Sequence, residues 1–401
     1  MIVQKYGGSS VATPEKIRGV ARKIRDRVEQ GRKVIVVVSA MGKTTNSLIA
    51  LAGEIAADPP PREMDMLLAT GEQVSSALLA MALCDLKVPA VSCNAFQLGM
   101  VTTGGYTNAR IMDLNLERVE RLMAERSVLV VTGFQGVTPD GDVTTLGRGG
   151  SDTSAVAIAA KCGCSCEIYS DVAGIFTCDP NRCSGARKLE YITYDEMLEL
   201  SSLGAKVLHS RAVEIAKKYS VELYCGSTFS DERGTYVVHS LPEWLEQPVV
   251  TGVTTDNNQI RVTISRMPSA MEAMGALFRA LADKGVNVDM ISTVMENGHS
   301  HLTFTVVDAK EQVALQTVRA SLAPWTDWSV SEDTKVTKVS AVGVGMKSAP
   351  GVAARFFSAL ARQGIPMLGT TTSEIKISAL VPQERGDEAL RALVDEFGLG
   401  E

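Results

Sequence analysis

The chain has 401 residues, is 45% hydrophobic and 21% charged, and carries a net charge of −6. That length predicts two or three domains with sizeable cores, and the ordinary composition is that of a globular chain. Aromatics at 5% and the lack of a basic block argue against nucleic-acid binding; no apolar run reaches membrane-spanning length and no signal peptide opens the chain, so a cytoplasmic protein is expected.

The first apolar run, Met1-Ile2-Val3-Gln4, reads as a strand that delivers Lys5-Tyr6-Gly7-Gly8-Ser9-Ser10. Glycines let backbone N–H groups approach an anion, hydroxyls add donors, and the lysine supplies a point charge. A plain strand-to-helix turn would look the same. Pro14 and the apolar spacing Ile17, Val20, Ile24, Val28 predict a helix just beyond. The runs Val34–Val38, Val88–Ser92, Val128–Thr132 and Glu167–Tyr169 are apolar and β-branched, as doubly buried strands are. Pro59-Pro60-Pro61 is a rigid connector, and a long helix is expected from about Glu63 to Cys84. Gly42-Lys43-Thr44 resembles the end of a P-loop, but Val37 stands where that motif needs glycine, so Lys43 is read as a solvated loop lysine.

A second glycine-rich turn runs from Val143 through Thr144, Thr145, Leu146, Gly147, Arg148, Gly149, Gly150 and Ser151 to Asp152, ahead of the small-residue helix Ala155–Ala160. Arg148 offers a planar fork to a carboxylate or phosphate, while Asp152 by itself could be an N-cap. Two such loops, each with a cation, are hard to explain as independent turns. The Cys162-x-Cys164-x-Cys166 run lacks zinc-site spacing and is read as packed thiols; no protein-held metal site is assigned. Up to about residue 225 the pattern is α/β with a mostly parallel sheet.

A different pattern begins near 250. Phe278, Ala280, Leu281, Ala282 and Gly285 return at an offset of 79 as Phe357, Ala359, Leu360, Ala361 and Gly364. Each copy reads strand, helix, strand, strand, helix, which predicts two small α+β modules packed on each other. They hold no catalytic cluster; an oligomerisation platform and an effector sensor are both open.

The ordered motifs Lys5–Ser10, Ser39–Gly42, Met64–Glu72, Phe134–Gly136, Thr144–Asp152, Tyr169–Pro180 and Gly204–His209 resemble those of the aspartokinases, with an amino-acid-kinase fold followed by two C-terminal ACT domains. The resemblance covers essentially the whole chain. It implies a catalytic domain over 1–245 and ferredoxin-like ACT domains over 246–334 and 335–401. It also implies ATP-dependent phosphorylation of the L-aspartate side chain to 4-phospho-L-aspartate, toward lysine, threonine and methionine, with Mg²⁺ accompanying ATP. A carboxylate nucleophile with a reference pKa of about 3.9 is already ionised and needs no general base. The burden falls on cations and positioning.

Carried over by resemblance, Lys5 stabilises the transferring phosphoryl group and Asp152 organises Lys5. Arg148, with Gly149, Gly150 and Ser151, binds the α-carboxylate of aspartate, Glu72 takes its amino group, and Ser39 and Thr45 add hydrogen bonds. Gly7, Gly8 and Ser9 join Lys5 at the nucleotide, together with Ser170, Asp171, Phe176, Asp179, Pro180, Arg182 and Lys206. An amino-acid effector is expected at Lys347, Ser348, Pro350, Gly351 and Thr371, and a homodimer or larger assembly through the ACT domains.

Three departures from the family pattern stand out. Asp179-Pro180-Asn181-Arg182 replaces Asp-Pro-Arg, Ser210 rather than proline follows His209, and Met271-Glu272 occupies the first copy where Pro350-Gly351 stands in the second. A glutamate at a helix start repels a carboxylate, so altered feedback control is expected. A specialised paralogue acting on aspartate or a related amino acid, or a non-catalytic amino-acid-binding regulator, are the alternatives; the joint presence of Lys5, Glu72, Arg148, Asp152 and Lys206 argues against the last.

Overall fold

The computed structural model describes residues 1–203, 207–242, 248–267, 271–296 and 299–400, with the side chains of 271 and 272 outside the description. Lys206 and the Met271-Glu272 pair, both singled out above, therefore lie outside it. The chain divides into two compact units, 1–176 with 188–202 and 206–246, and 177–187 with 203–205 and 247–401.

The first unit is built on an eight-stranded sheet in the order Tyr191–Thr193, Thr235–Val238, Leu223–Ser227, Cys166–Ser170, Ile2–Tyr6, Val34–Val38, Val128–Thr132, Ala90–Cys93. Every pairing is parallel except the one joining Leu223–Ser227 to Thr235–Val238. Val34–Val38 lies mid-sheet with all five residues buried, which accounts for its unbroken apolar run. The strand expected from Val88 begins at Ala90 instead. Pro89 has no N–H to give the ladder, and the Val88 N–H closes the preceding helix onto the Leu83 carbonyl.

Helix Pro14–Glu29 starts with proline in its first turn and the Thr13 side chain as cap, and buries Ile17, Val20, Ala21 and Ile24 against the sheet. Pro61–Leu68 and Thr70–Asp85 form a continuous 25-residue helical stretch that is long and apolar enough to cross a membrane, contrary to the reading of the sequence. Half of its apolar window is buried, and Leu79, Ala80 and Leu83 belong to the core, so its apolarity is that of a core helix. A second sheet, Ile111–Leu114, Met100–Thr102, Gln135–Val137 and Val143–Thr145, was not foreseen. Its strands are three or four residues long, and its interior holds a Thr102–Thr144 hydroxyl pair, so it lacks an apolar signature. Of the cysteine run, Cys162 ends helix Gly150–Cys162 and Cys166 opens a strand fully buried; Cys162 and Cys164 are half-buried.

The second unit has one six-stranded sheet, Asp289–Glu296, His299–Val307, Gly252–Met267, Ser329–Val342, Lys376–Pro382, Gly369–Thr372. The repeated element order is as expected, but the two copies share strands. Gly252–Met267 pairs over 259–264 with the strand His299–Val307, and over 252–256 with residues 338–342. Helices Met271–Asp283 and Glu311–Leu322 cover one core with Leu277, Leu281, Phe304 and Val318, while Val352–Arg362 and Gly386–Phe397 cover another with Phe356, Leu360, Leu390 and Leu393. Segment 177–187 belongs to this unit. Val253 N–H donates to the Thr177 carbonyl at 2.7 Å, the Thr177 hydroxyl donates to the Leu399 carbonyl at 2.8 Å, and Cys178 enters the Phe356 core.

Candidate active site

In open parallel sheets, ligands lie beyond the carboxyl ends of the strands. There the strand Ile2–Tyr6 places Lys5, whose Nζ sits 2.7 Å from Asp152 Oδ1 with the two side chains 12% and 11% exposed. Asp152 stands in the first turn of helix Gly150–Cys162, where helix polarity favours an anion. The loop after Lys5 is held to the loop after Val34–Val38. Gly42 N–H donates to the Gly8 carbonyl at 3.0 Å, and a Cβ on Gly8 would stand 2.8 Å from the Ala40 carbonyl oxygen. Close backbone approach thus already requires glycine at 8. The role expected of Gly7 as a phosphate donor needs correction, because its N–H already donates to the Tyr169 carbonyl at 3.2 Å. Ser9 accepts Lys16 Nζ at its carbonyl, and Ser10 is tied to Thr228 at 2.6 Å.

Glu72 is 2% exposed, on helix Thr70–Asp85. Its Oε1 accepts the Ala40 N–H at 3.0 Å, while Oε2 has no hydrogen-bond partner among the described residues. Burial pushes the carboxyl up to about 7, against the pull of the Ala40 N–H. The Ser75 hydroxyl donates to the Ser39 carbonyl at 2.8 Å, so the Ser39-Ala40 turn is strapped to the same helix. Thr45 is half-buried in the first turn of helix Thr44–Ile55, and Lys43 is exposed.

The loop Gly147–Gly150 presents Arg148 to solvent, with no hydrogen bond or ion pair among the described residues. Gly149 caps the following helix at φ +69°, and a Cβ there would lie 2.3 Å from the His209 ring. Ser151 is buried under Gly133, where a Cβ would lie 2.7 Å from its side chain. His209 was noted in the sequence only within a motif. Its ring wedges against Gly149, its Nδ1 is buried without a partner among the described residues, and burial lowers its pKa. Nothing local marks that placement; the contact joins residues sixty apart. Phe134, at φ +71°, follows the strand Val128–Thr132, accepts the Leu146 N–H at its carbonyl and donates its own N–H to Ser154 Oγ. A left-handed aromatic residue held from both sides stores strain beside this loop.

The expected nucleotide residues divide between the units. Ser170 ends a strand of the first unit and makes a local turn to the Val172 N–H, Asp171 is exposed, and Phe176 bridges to Lys188. Asp179, Pro180 and Arg182 belong to the second unit. Asp179 Oδ1 accepts from both Asn181 nitrogens, so the departure at 181 builds a tight Asx turn. The phosphate contact expected of Arg182 is replaced here. Its Nε donates to Asp387 at 2.7 Å and its Nη1 meets Thr255, which uses up the fork.

Of the effector candidates, Gly351 caps helix Val352–Arg362 at φ +91°, next to Pro350. Lys347 pairs with Glu374 at 2.6 Å, the Ser348 hydroxyl donates to the Gly345 carbonyl, and Thr371 lies on the edge strand Gly369–Thr372.

The Amino acid kinase family model matches residues 1–227 and an ACT domain model matches 339–397. The aspartokinase of Mycobacterium tuberculosis is 45% identical over 406 residues, covering 100% of this chain and 96% of that protein; that of Geobacillus stearothermophilus is 45% identical over 404 residues, covering 100% and 98%. Among solved structures, aspartate kinase from Synechocystis is 42% identical with a TM-score of 0.55, covering 99% of this chain and 69% of that one. E. coli aspartokinase III in complex with aspartate and ADP superimposes with a TM-score of 0.82 at 24% identity, over 99% of both chains, and so speaks for the fold. Full-length similarity at this level, on a sheet whose strand ends gather Lys5, Asp152 and Glu72, means that the chain belongs to the aspartokinase family.

Proposed function

We propose that this chain transfers the γ-phosphoryl group of ATP to the side-chain carboxylate of L-aspartate, giving 4-phospho-L-aspartate. The observation that carries the choice of an α-amino acid is Glu72, a buried carboxyl with one oxygen unpartnered among the described residues. An ammonium group fits that oxygen, and the exposed fork of Arg148 fits an α-carboxylate. With both ends of the amino acid held, the side-chain carboxylate is aimed at the phosphoryl group, and effective concentration does most of the work. Lys5, oriented by Asp152, meets the charge that spreads over the equatorial oxygens. Gly8 and Ser9 line the phosphate side, with Ser170, Asp171 and Phe176 toward the nucleoside. Lys206 is proposed as a phosphate ligand on the sequence alone. Magnesium enters as part of the nucleotide substrate, chelated by its phosphate oxygens.

Both copies of the repeat are proposed to be ACT domains. The turn Lys347–Gly351, at a helix start, is the favoured place for an amino-acid carboxylate, with Thr371, on the edge strand Gly369–Thr372 of the same unit, as a further candidate. Association through the strand Asp289–Glu296 is supported by its position at the sheet edge and by exposed Ile291, Val294 and Met295. The eight cysteines, all free, suit a reducing cytoplasm.

The test is ADP formation with ATP and magnesium, with and without L-aspartate, and trapping of the acyl phosphate as its hydroxamate. Aspartate-dependent ADP release with stoichiometric hydroxamate is expected; turnover that is indifferent to aspartate would exclude the reading.

A further inference from the structure

We propose that Asp65 is a positioning residue for the Arg148 loop, fixing it from below together with Arg211; the proposal rests on Arg148 as the aspartate-binding residue. Asp65 lies on helix Pro61–Leu68 and is fully buried. Its Oδ2 accepts the N–H groups of Thr107 and Thr145, each at 2.9 Å, and its Oδ1 accepts the Thr145 hydroxyl at 2.6 Å. All three are donors, one from Thr107 in a loop and two from Thr145 at the end of strand Val143–Thr145, segments far apart in sequence. Arg211 grips the same segments from helix Ser210–Tyr219. Its Nη1 donates to the Leu146 carbonyl at 2.8 Å and its Nη2 to the Ala109 carbonyl at 2.7 Å. The segments also hold each other, through Ala109 N–H to the Thr145 carbonyl at 2.9 Å and the tight approach of Gly147 to the Thr107 carbonyl oxygen.

The side chain of Arg148 has no partner among the described residues, so its aim is set by the backbone that carries it. That backbone is fastened at Thr145 and Leu146, three and two residues ahead. Thr107 stands at φ +65°, a conformation a β-branched residue avoids, and the Asp65 carboxyl takes the N–H of that very residue. A carboxylate sunk in the interior is a costly way to join two loops, because each desolvated charge must be repaid by its hydrogen bonds. A neutral amide could accept the same two N–H groups without a buried charge, whereas an apolar side chain would leave them stranded. What the carboxylate adds is direction: two N–H bonds converging on Oδ2 and one O–H bond to Oδ1 leave the loop one register. Loose placement of a clamping residue by about 1 Å can lower the rate 100-fold.

The experiment is steady-state kinetics of the full chain carrying Asp65→Asn, Arg211→Lys, Arg148→Lys, and Asp65→Asn with Arg148→Lys, each first shown to unfold cooperatively. Asp65→Asn and Arg211→Lys are each expected to raise the aspartate KM about tenfold or more while the ATP KM stays within about twofold. The double variant is expected to be little worse than Arg148→Lys alone, since a fork already lost cannot be misaimed again. If Asp65→Asn does not fold, Arg211→Lys carries the same split. The proposal is overturned by an aspartate KM unchanged in both positioning variants while Arg148→Lys raises it. Equal losses for both substrates, or a fully multiplicative double variant, would also overturn it. An aspartate KM unmoved by Arg148→Lys would instead remove the substrate-binding reading, and the proposal with it.

Discussion

Lys5 Nζ and Asp152 Oδ1 stand 2.7 Å apart, each side chain about nine-tenths buried, at the junction of a central strand and a helix N-terminus. The strand supplies the cation and the helix start supplies the anion, so the lysine is held in one orientation before any substrate arrives.

Lys5→Ala removes that cation and strands a buried carboxylate. The turnover number is expected to fall by about 10²–10³ or more. Thermal stability falls as well, because an ion pair broken on one side leaves an uncompensated charge. Replacing both residues, Lys5→Met with Asp152→Asn, is expected to recover stability without recovering activity. Calorimetry beside an ADP-release assay reads both; activity retained in Lys5→Ala would remove it from the mechanism.

Glu72 sets a pH dependence whose sign follows from its raised pKa of about 7. The ionised form is the one that attracts an ammonium, so the aspartate KM is expected to rise up to tenfold per unit as pH falls below about 7, with the ATP KM flat. Glu72→Gln should raise the aspartate KM and flatten this profile. A carboxyl whose folded pKa lies above its unfolded one favours folding fully below the unfolded value and loses that contribution as pH rises through the folded value. The same variant is therefore expected to be more stable than the parent at pH 8, by about 3 kcal/mol, and equal to it near pH 4. A parent whose aspartate KM does not vary between pH 6 and 8 would contradict the assignment.

Arg148→Lys keeps the charge and loses the fork. The expected outcome is an aspartate KM raised by about tenfold or more with an unchanged ATP KM. Its exposure keeps the melting temperature within the scatter of ordinary surface substitutions, roughly 0.5 kcal/mol. Substrate-saturation curves and a thermal melt suffice, and a lysine variant with normal aspartate kinetics would refute the clamp.

Val294→Lys with Met295→Glu places charges on the exposed edge strand of the second unit. Light scattering at micromolar concentration is expected to show a dimer or larger species for the parent and a smaller one for the variant, with basal turnover preserved. A monomeric parent would dispose of this surface as an interface.

Some of the chain was readable because its signals are local. A β-branched run ending in Lys5-Tyr6-Gly7-Gly8 followed by Pro14 specifies strand, turn and helix within about twenty-five residues, and Val34–Val38 announces a doubly buried strand. The shift from Val88 to Ala90 shows where local reading fails: proline at 89 cannot join a ladder, and a hydropathy pattern does not count donors. The small sheet of 100–145 went unseen because its strands are too short for an alternation to register. The repeat at 278 and 357 was legible as two modules, but not that both run through the same long strands.

By itself the sequence determined which chemical groups are available and in what order: Lys5, Glu72, Arg148 and Asp152 on elements that alternate as an α/β sheet requires, and two α+β copies after them. Tertiary structure alone decided what those groups experience. It paired Lys5 with Asp152 across 147 positions, and it buried one oxygen of Glu72 without a hydrogen-bond partner among the described residues, so that its carboxyl titrates near 7. It also committed the Gly7 N–H to Tyr169, drew Arg182 to Asp387, and set Asp65 beneath the Arg148 loop. Propensity and periodicity are properties of neighbours in the chain. Desolvation, ion pairing and donor satisfaction are properties of neighbours in space, and they exist only once the fold has excluded water from between them.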